Sequence, residues 1–223
     1  MEDIAPALLA KIREDFLRLL GDAKVTTMTY EGAREYSEAV GEALAQAFAL
    51  HISVDKLPEG RMFWNIADRV IHPMLVDDYT LVADAAAIVQ QELNNASGLG
   101  LRAQRADLDE DKIAGILNSV ASAQKFEDVA WMLDEPVKTF SRGVVDDTLH
   151  KNIDFQGKAG LRPRVIRTAE RRCCKWCSNL DGVYNYPDIP PEVYQRHRAC
   201  RCNVEYDPGD NIRRQDVWSK RWI

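Results

Sequence analysis

All five cysteines of this chain fall between positions 173 and 202, and the 172 residues before them contain none. Five is odd, so pairing into disulfides leaves one thiol over. The chain opens Met-Glu-Asp, acidic where an export signal is basic, so it reads as an intracellular protein whose thiols stay reduced. Clustered cysteines in that setting read first as metal ligands. Cys174 and Cys177 have two residues between them, and after nineteen more residues come His197, Cys200 and Cys202. Two intervening residues let a tight loop aim both side chains at one ion, and zinc takes four N or S ligands in a tetrahedron. Cys174/Cys177 and His197/Cys200 form two such pairs. Cys202 is an alternative to Cys200, and Cys173 is spare. Disulfides and unpaired buried thiols are the competing readings. The segment holds few large apolar residues, so a structural Zn2+ crosslink is expected to hold it.

Ahead of the cysteines the chain reads as successive helices. Leu8, Leu9, Ile12, Phe16, Leu19 and Leu20 recur at three- and four-residue spacing, with Asp3 placed to cap and Gly21 to stop the helix. Tyr36, Val40, Leu44 and Phe48 make a second stripe. A third helix is expected over residues 63–71, broken or kinked at Pro73. Leu75, Tyr79, Val82, Ala86, Val89 and Leu93 follow on one face, then a Gly-containing loop at 98–106. Asp107 and Glu110 resemble a capping box opening a helix through Ile113, Leu117 and Val120. A shorter helix covers 126–133. Pro136 starts the next, carrying Val144, Val145 and Leu149, with His150 as a candidate C-terminal cap.

After residue 150 the texture changes. Residues 155–160 read as a turn-rich link, 162–168 as a strand, Asp181-Gly182 as a hairpin turn leading into a strand at 183–186, and 203–206 as a short strand. The expected fold class is α+β: a helical domain over 1–150, a β-rich Cys/His zinc-knuckle module over 151–210, and a tail over 211–223. The tail is mostly polar, with Val217, Trp218, Trp222 and Ile223 among its apolar residues. Apolar residues are 46% of the chain, too many for a wholly disordered protein. The richest apolar run, 81–89, is interrupted by Asp84 and falls well short of the roughly 18–20 residues a membrane span needs.

Arg164-Val165-Ile166-Arg167, the Cys174/Cys177 pair, Leu180-Asp181-Gly182, Pro190-Pro191, Arg196-His197 and Cys200-Arg201-Cys202 together resemble the signature of phage Mu F-like head-morphogenesis proteins. The match spans about a fifth of the chain, residues 162–206. Where that family usually has Pro after the His, this chain has Arg198. The resemblance implies a minor capsid component of a tailed phage, present in few copies in the capsid interior after assembly in the host cytoplasm. It would act in head assembly or DNA packaging and delivery, touching portal or capsid proteins and DNA. Five possible protein ligands argue separately for a closed, structural site rather than an enzyme.

Residues 1–150 hold 14 Lys and Arg against 26 Asp and Glu, whereas 151–223 hold 15 against 9. A basic segment on an acidic body meets either nucleic acid or the body itself. The candidate phosphate contacts are Arg162, Arg164, Arg167, Arg171, Arg172, Arg196, Arg198 and Arg201, with Arg162 and Arg164 on one strand face. Trp176, Tyr184, Tyr186 and Tyr194 either stack bases or pack the module. The sharpest enzymatic alternative is a zinc-containing nuclease or toxin domain using His150 with Asn152 or His197. A regulatory zinc module that binds DNA is a third reading. His51 and His72 read as packing or surface residues.

Overall fold

The structure is a computed structural model that describes residues 3–209 and the backbone of 215–216 and 221–222. Helix α1 (Ala5–Leu20) starts where the Asp3 carboxylate accepts from the Ala5 N–H at 3.2 Å, and it buries Ala5, Ile12 and Phe16. Helix α2 (Tyr30–His51) is capped by Thr29, whose hydroxyl accepts from the Gly32 N–H at 3.1 Å. It is buried on more than one stripe, because small residues let its neighbours close in. A Cβ at Gly41 would stand 2.7 Å from Ser141 Oγ, so only glycine permits this approach.

Helix α3 (Trp64–Ala96) continues through Pro73, so of the break or kink expected there the break does not occur. An interior proline costs about 3 kcal/mol. Val70, Ile71, Met74 and Leu75 are fully buried on both sides of it, at roughly 1.5–3 kcal/mol each, and packing wins. Helix α4 (Glu110–Ser122) is capped by Asp109, two residues later than the capping-box reading; its carboxylate accepts from Lys112 N–H at 2.9 Å. The helix expected at 126–133 is two 3-10 turns, Phe126–Asp128 and Ala130–Leu133.

Helix α5 (Glu135–Lys158) carries Pro136 in its first turn and continues past 150, absorbing the start of the turn-rich link. His150 is therefore mid-helix, not a cap. Gly157 does not end the helix but seats Tyr186, whose ring would lie 2.3 Å from a Cβ there. The loop at 98–106 is held by side chains. Asn152 donates to the Gln104 carbonyl and accepts from its N–H, both at 2.7 Å, and Tyr79 donates to the Ala106 carbonyl.

Strands β1 (Arg164–Thr168), β2 (Gly182–Asn185) and β3 (Asn203–Asp207) form an antiparallel sheet in the order β2-β1-β3, with Val165 opposite Tyr184 and Tyr206. Asp181-Gly182 is not a two-residue hairpin; the connection from β1 to β2 is the long loop that carries Cys174 and Cys177, with the short helix α6 (Lys175–Asn179) inside it. The Asp181 carboxylate closes this loop by accepting from the Ala169 N–H at 2.9 Å. Strands β4 (Gln215–Asp216) and β5 (Arg221–Trp222) pair antiparallel. The apolar side chains of the tail lie outside the described residues.

One core runs from Ile12 and Phe16 through all five long helices to Val165, Val193, Tyr194 and Val204 of the module. A chain of buried polar groups stitches the same junction. Tyr206 donates to Gln156, which donates to Asn94, and Gln90 and Tyr30 extend the line into α2. No described helix is long and apolar enough to cross a membrane.

Candidate metal centre

Cys174 caps the N-terminus of α6 and Cys177 lies one turn on, turned inward. Across from them, residues 197–202 make a second tight turn, closed by the Cys200 N–H donating to the His197 carbonyl at 3.1 Å. Ala199 holds that turn in the left-handed region, φ 59°. The turns bring two triads together, Cys174/Cys177/His197 and Cys177/Cys200/Cys202, with the ligating atoms in each within 4.8 Å of one another. This cluster can hold a metal ion. Cys177 belongs to both triads.

Three of the separations approach those around one small cation. Tetrahedral zinc with Zn–S near 2.3 Å and Zn–N near 2.0–2.1 Å implies edges of about 3.8 Å for S···S and about 3.6 Å for S···N. Cys177 Sγ lies 3.6 Å from Cys200 Sγ, and His197 Nε2 lies 3.1 Å from Cys177 Sγ and 3.3 Å from Cys174 Sγ. His197 Nδ1 donates to the Arg198 carbonyl at 2.7 Å, so Nε2 turns a free lone pair towards the sulfurs. All five thiols are free of disulfides.

Backbone amides prepare some of these thiols for ionisation. The Cys177 N–H holds the Cys174 thiol below its ordinary value. Burial acts to raise Cys202, but the Glu170 N–H and its other partners outweigh it, and the thiol is lowered. Cys177 goes the other way, pushed well up by burial and by the thiols of Cys202 and Cys200 beside it. A divalent cation at this point would reverse that, since it favours thiolate outright.

Two predicted phosphate contacts are corrected here. Arg167 is 1% exposed, facing inward with Val165 on β1. Its Nη1 donates to the carbonyls of Val193 and Gln195, and Nη2 approaches Cys177 Sγ at 3.7 Å and Cys200 Sγ at 3.9 Å. Arg196 is an internal partner too: its guanidinium grips Asp146 of α5 through Nε and Nη2, both side chains nearly inaccessible, and Nη1 donates to the Cys202 carbonyl at 2.8 Å. Burial opposes both charges. It raises the Asp146 carboxyl despite Arg196, while Asp146 and the neighbouring thiols raise Arg196 above its ordinary value. Neither arginine reaches a nucleic-acid backbone. Arg164 is half-buried against Asp207 at 2.8 Å. Arg162, Arg171, Arg172, Arg198 and Arg201 remain exposed, Arg198 stacking over Trp131 at 4.9 Å.

Among the aromatics, Tyr194 is buried and stacks on His150 at 4.2 Å, and Tyr184 and Tyr186 pack against the core. Trp176 is 38% exposed, with its edge to His197 and its face to Arg167. Asn152 is hydrogen-bonded to the Gln104 backbone, and His150 stacks on Tyr194. His51 and His72 sit against Asp15 and Glu110.

Sequence reasoning missed the support from α5. Arg142 donates to the Cys200 carbonyl at 2.8 Å, and Asp146 anchors Arg196. The signal was present: Arg142 lies three residues before Val145 and Asp146 three before Leu149, within the helix's own apolar stripe. No family model, curated protein or solved structure matches the chain.

Proposed function

We propose that residues 164–207 form a zinc-clamped docking module and that the chain is a structural minor capsid protein of a tailed phage. The observation that carries the metal part is the meeting of the Cys174/Cys177/His197 and Cys177/Cys200/Cys202 triads at Cys177, with the His197 tautomer fixed by a backbone carbonyl. Four protein ligands on one ion would close the centre as in a structural zinc, whereas a catalytic zinc keeps a position open for water. The head-protein part is supported by the order of the motifs around that centre, from Arg164 to Cys202, which resembles the Mu F-like pattern.

In this reading the ion holds the two turns, and the turns present an exposed basic rim of Arg171, Arg172, Lys175 and Arg198. That rim would meet portal, capsid or packaged DNA, while the acidic helical body meets a second surface. Two measurements test the proposal. Elemental analysis of protein purified under reducing conditions should find about one zinc per chain, and less than half an equivalent removes the metal reading. Immunoblotting of purified phage particles should find the chain in heads at low copy; its absence from heads removes the capsid reading and leaves the metal reading standing.

A further inference from the structure

Arg167 raises an electrostatic question that the metal answers. Its side chain is sealed from water, yet among the described residues no carboxylate lies within ion-pair distance of it. Its Nη1 is spent on neutral carbonyls and its Nε has no partner. The other groups facing it are the Trp176 ring, its centroid 5.4 Å from the guanidinium carbon, and the sulfurs of Cys177 and Cys200, at 3.7 and 3.9 Å from Nη2. A guanidinium stays protonated in proteins, and a buried charge without a counter-charge is strongly unfavourable. Arg196 does not share this difficulty, because Asp146 neutralises it.

We propose that Arg167 is the built-in counter-charge of a metal–thiolate centre made of three thiolates and the His197 imidazole. This rests on the metal reading above and deepens it. Three thiolates around a divalent ion carry one net negative charge, and Arg167 cancels it. Four thiolates would leave one negative charge over, and neutral thiols or disulfides would leave Arg167 stranded. Cys177 is one of the three, being common to both triads. Arg167 acts through the sulfurs and is a positioning residue: it aims charge at the ligands from β1, and the Val193 and Gln195 carbonyls orient its guanidinium.

The test compares the full-length wild type with Arg167→Gln and Arg167→Lys. The readouts are zinc affinity, by competition against a chromophoric chelator, and the denaturant midpoint of metal-stripped protein. Gln keeps hydrogen-bond donors but loses the charge; Lys keeps the charge but loses the fork. Gln should weaken zinc binding ten- to hundredfold, in the range of substitutions that support metal ligands indirectly, and Lys should stay within a few-fold of wild type. Stripped of metal, the Gln variant should resist denaturant at least as well as stripped wild type, because no charge is left stranded. Zinc affinity in the Gln variant within threefold of wild type overturns the proposal. So does a Lys variant as weak as Gln, or a stripped Gln variant clearly less stable than stripped wild type; both point to the carbonyl contacts instead. Wild type without zinc is a different failure, since it removes the metal reading itself.

Discussion

In the helical body, α2 buries Val40, Leu44, Ala47 and Phe48 against α1, α3 and α5, and order comes from many interchangeable apolar contacts. In the module, the interior is three cysteines, Arg167, Arg196 and the Asp146 that α5 lends to it, with Val165, Val193 and Val204 at the seam. The body can lose a methylene and repack. The module depends on a few groups whose charges must cancel, so each is close to irreplaceable. The two regions are nevertheless one packing unit, joined by the continuous core and by Arg142 and Asp146.

The comparison breaks most visibly at Cys177. Cys177→Ser removes the residue common to both triads and should abolish stoichiometric zinc, a loss on the order of 10 kcal/mol of binding energy. Amide exchange should show protection lost over 164–207, while far-UV circular dichroism keeps most of its helical signal. Equal loss of helicity would make the two regions a single cooperative unit.

Next in size is Asp146→Ala, which leaves Arg196 buried without its partner. Removing one member of a buried pair costs about 3–5 kcal/mol in denaturant unfolding. Adding Arg196→Met should recover much of that loss, and failure to recover any would show that the pair is not the main tie.

The body has a charged weakness of its own at Asp78. Burial pushes its carboxyl up to about 7 against the help of Ser141, whose hydroxyl donates at 2.6 Å. A carboxyl raised in the fold favours folding in its acid form. That stability is full below the unfolded value near 3.9 and is lost as pH rises through about 7, a difference of up to about 4 kcal/mol. Asp78→Asn should flatten the stability profile between pH 4 and 8. The smallest effect is expected at Ala199: glycine there relieves the left-handed backbone and should stabilise the module by about 0.5–1 kcal/mol, read as a rise in melting temperature.

The contrast also explains what could be read in advance. Apolar spacing located α1, α2, α4 and α5, and the cysteine spacing located the ligand cluster, because both are local patterns. What failed was decided at a distance. Pro73 stays helical because of the core on both sides of it, and Gly157 stays helical because Tyr186 needs the space. Arg167 and Arg196 look like phosphate contacts in a basic segment until their partners, 28 and 50 residues away, are in place. The strand's own alternation held one hint: Arg167 shares a face with Val165, so it turns inward.

Helix α5 begins beside the α2 crossing, grips the ligand turn midway through Arg142 and Asp146, and ends against Tyr186. Twenty-four residues of helix make a rod of about 36 Å. A pull on the ligand turn is thus not taken up by a slack tether; it is delivered along that rod into the helices, so the molecule would answer mechanical load as one stiff strut.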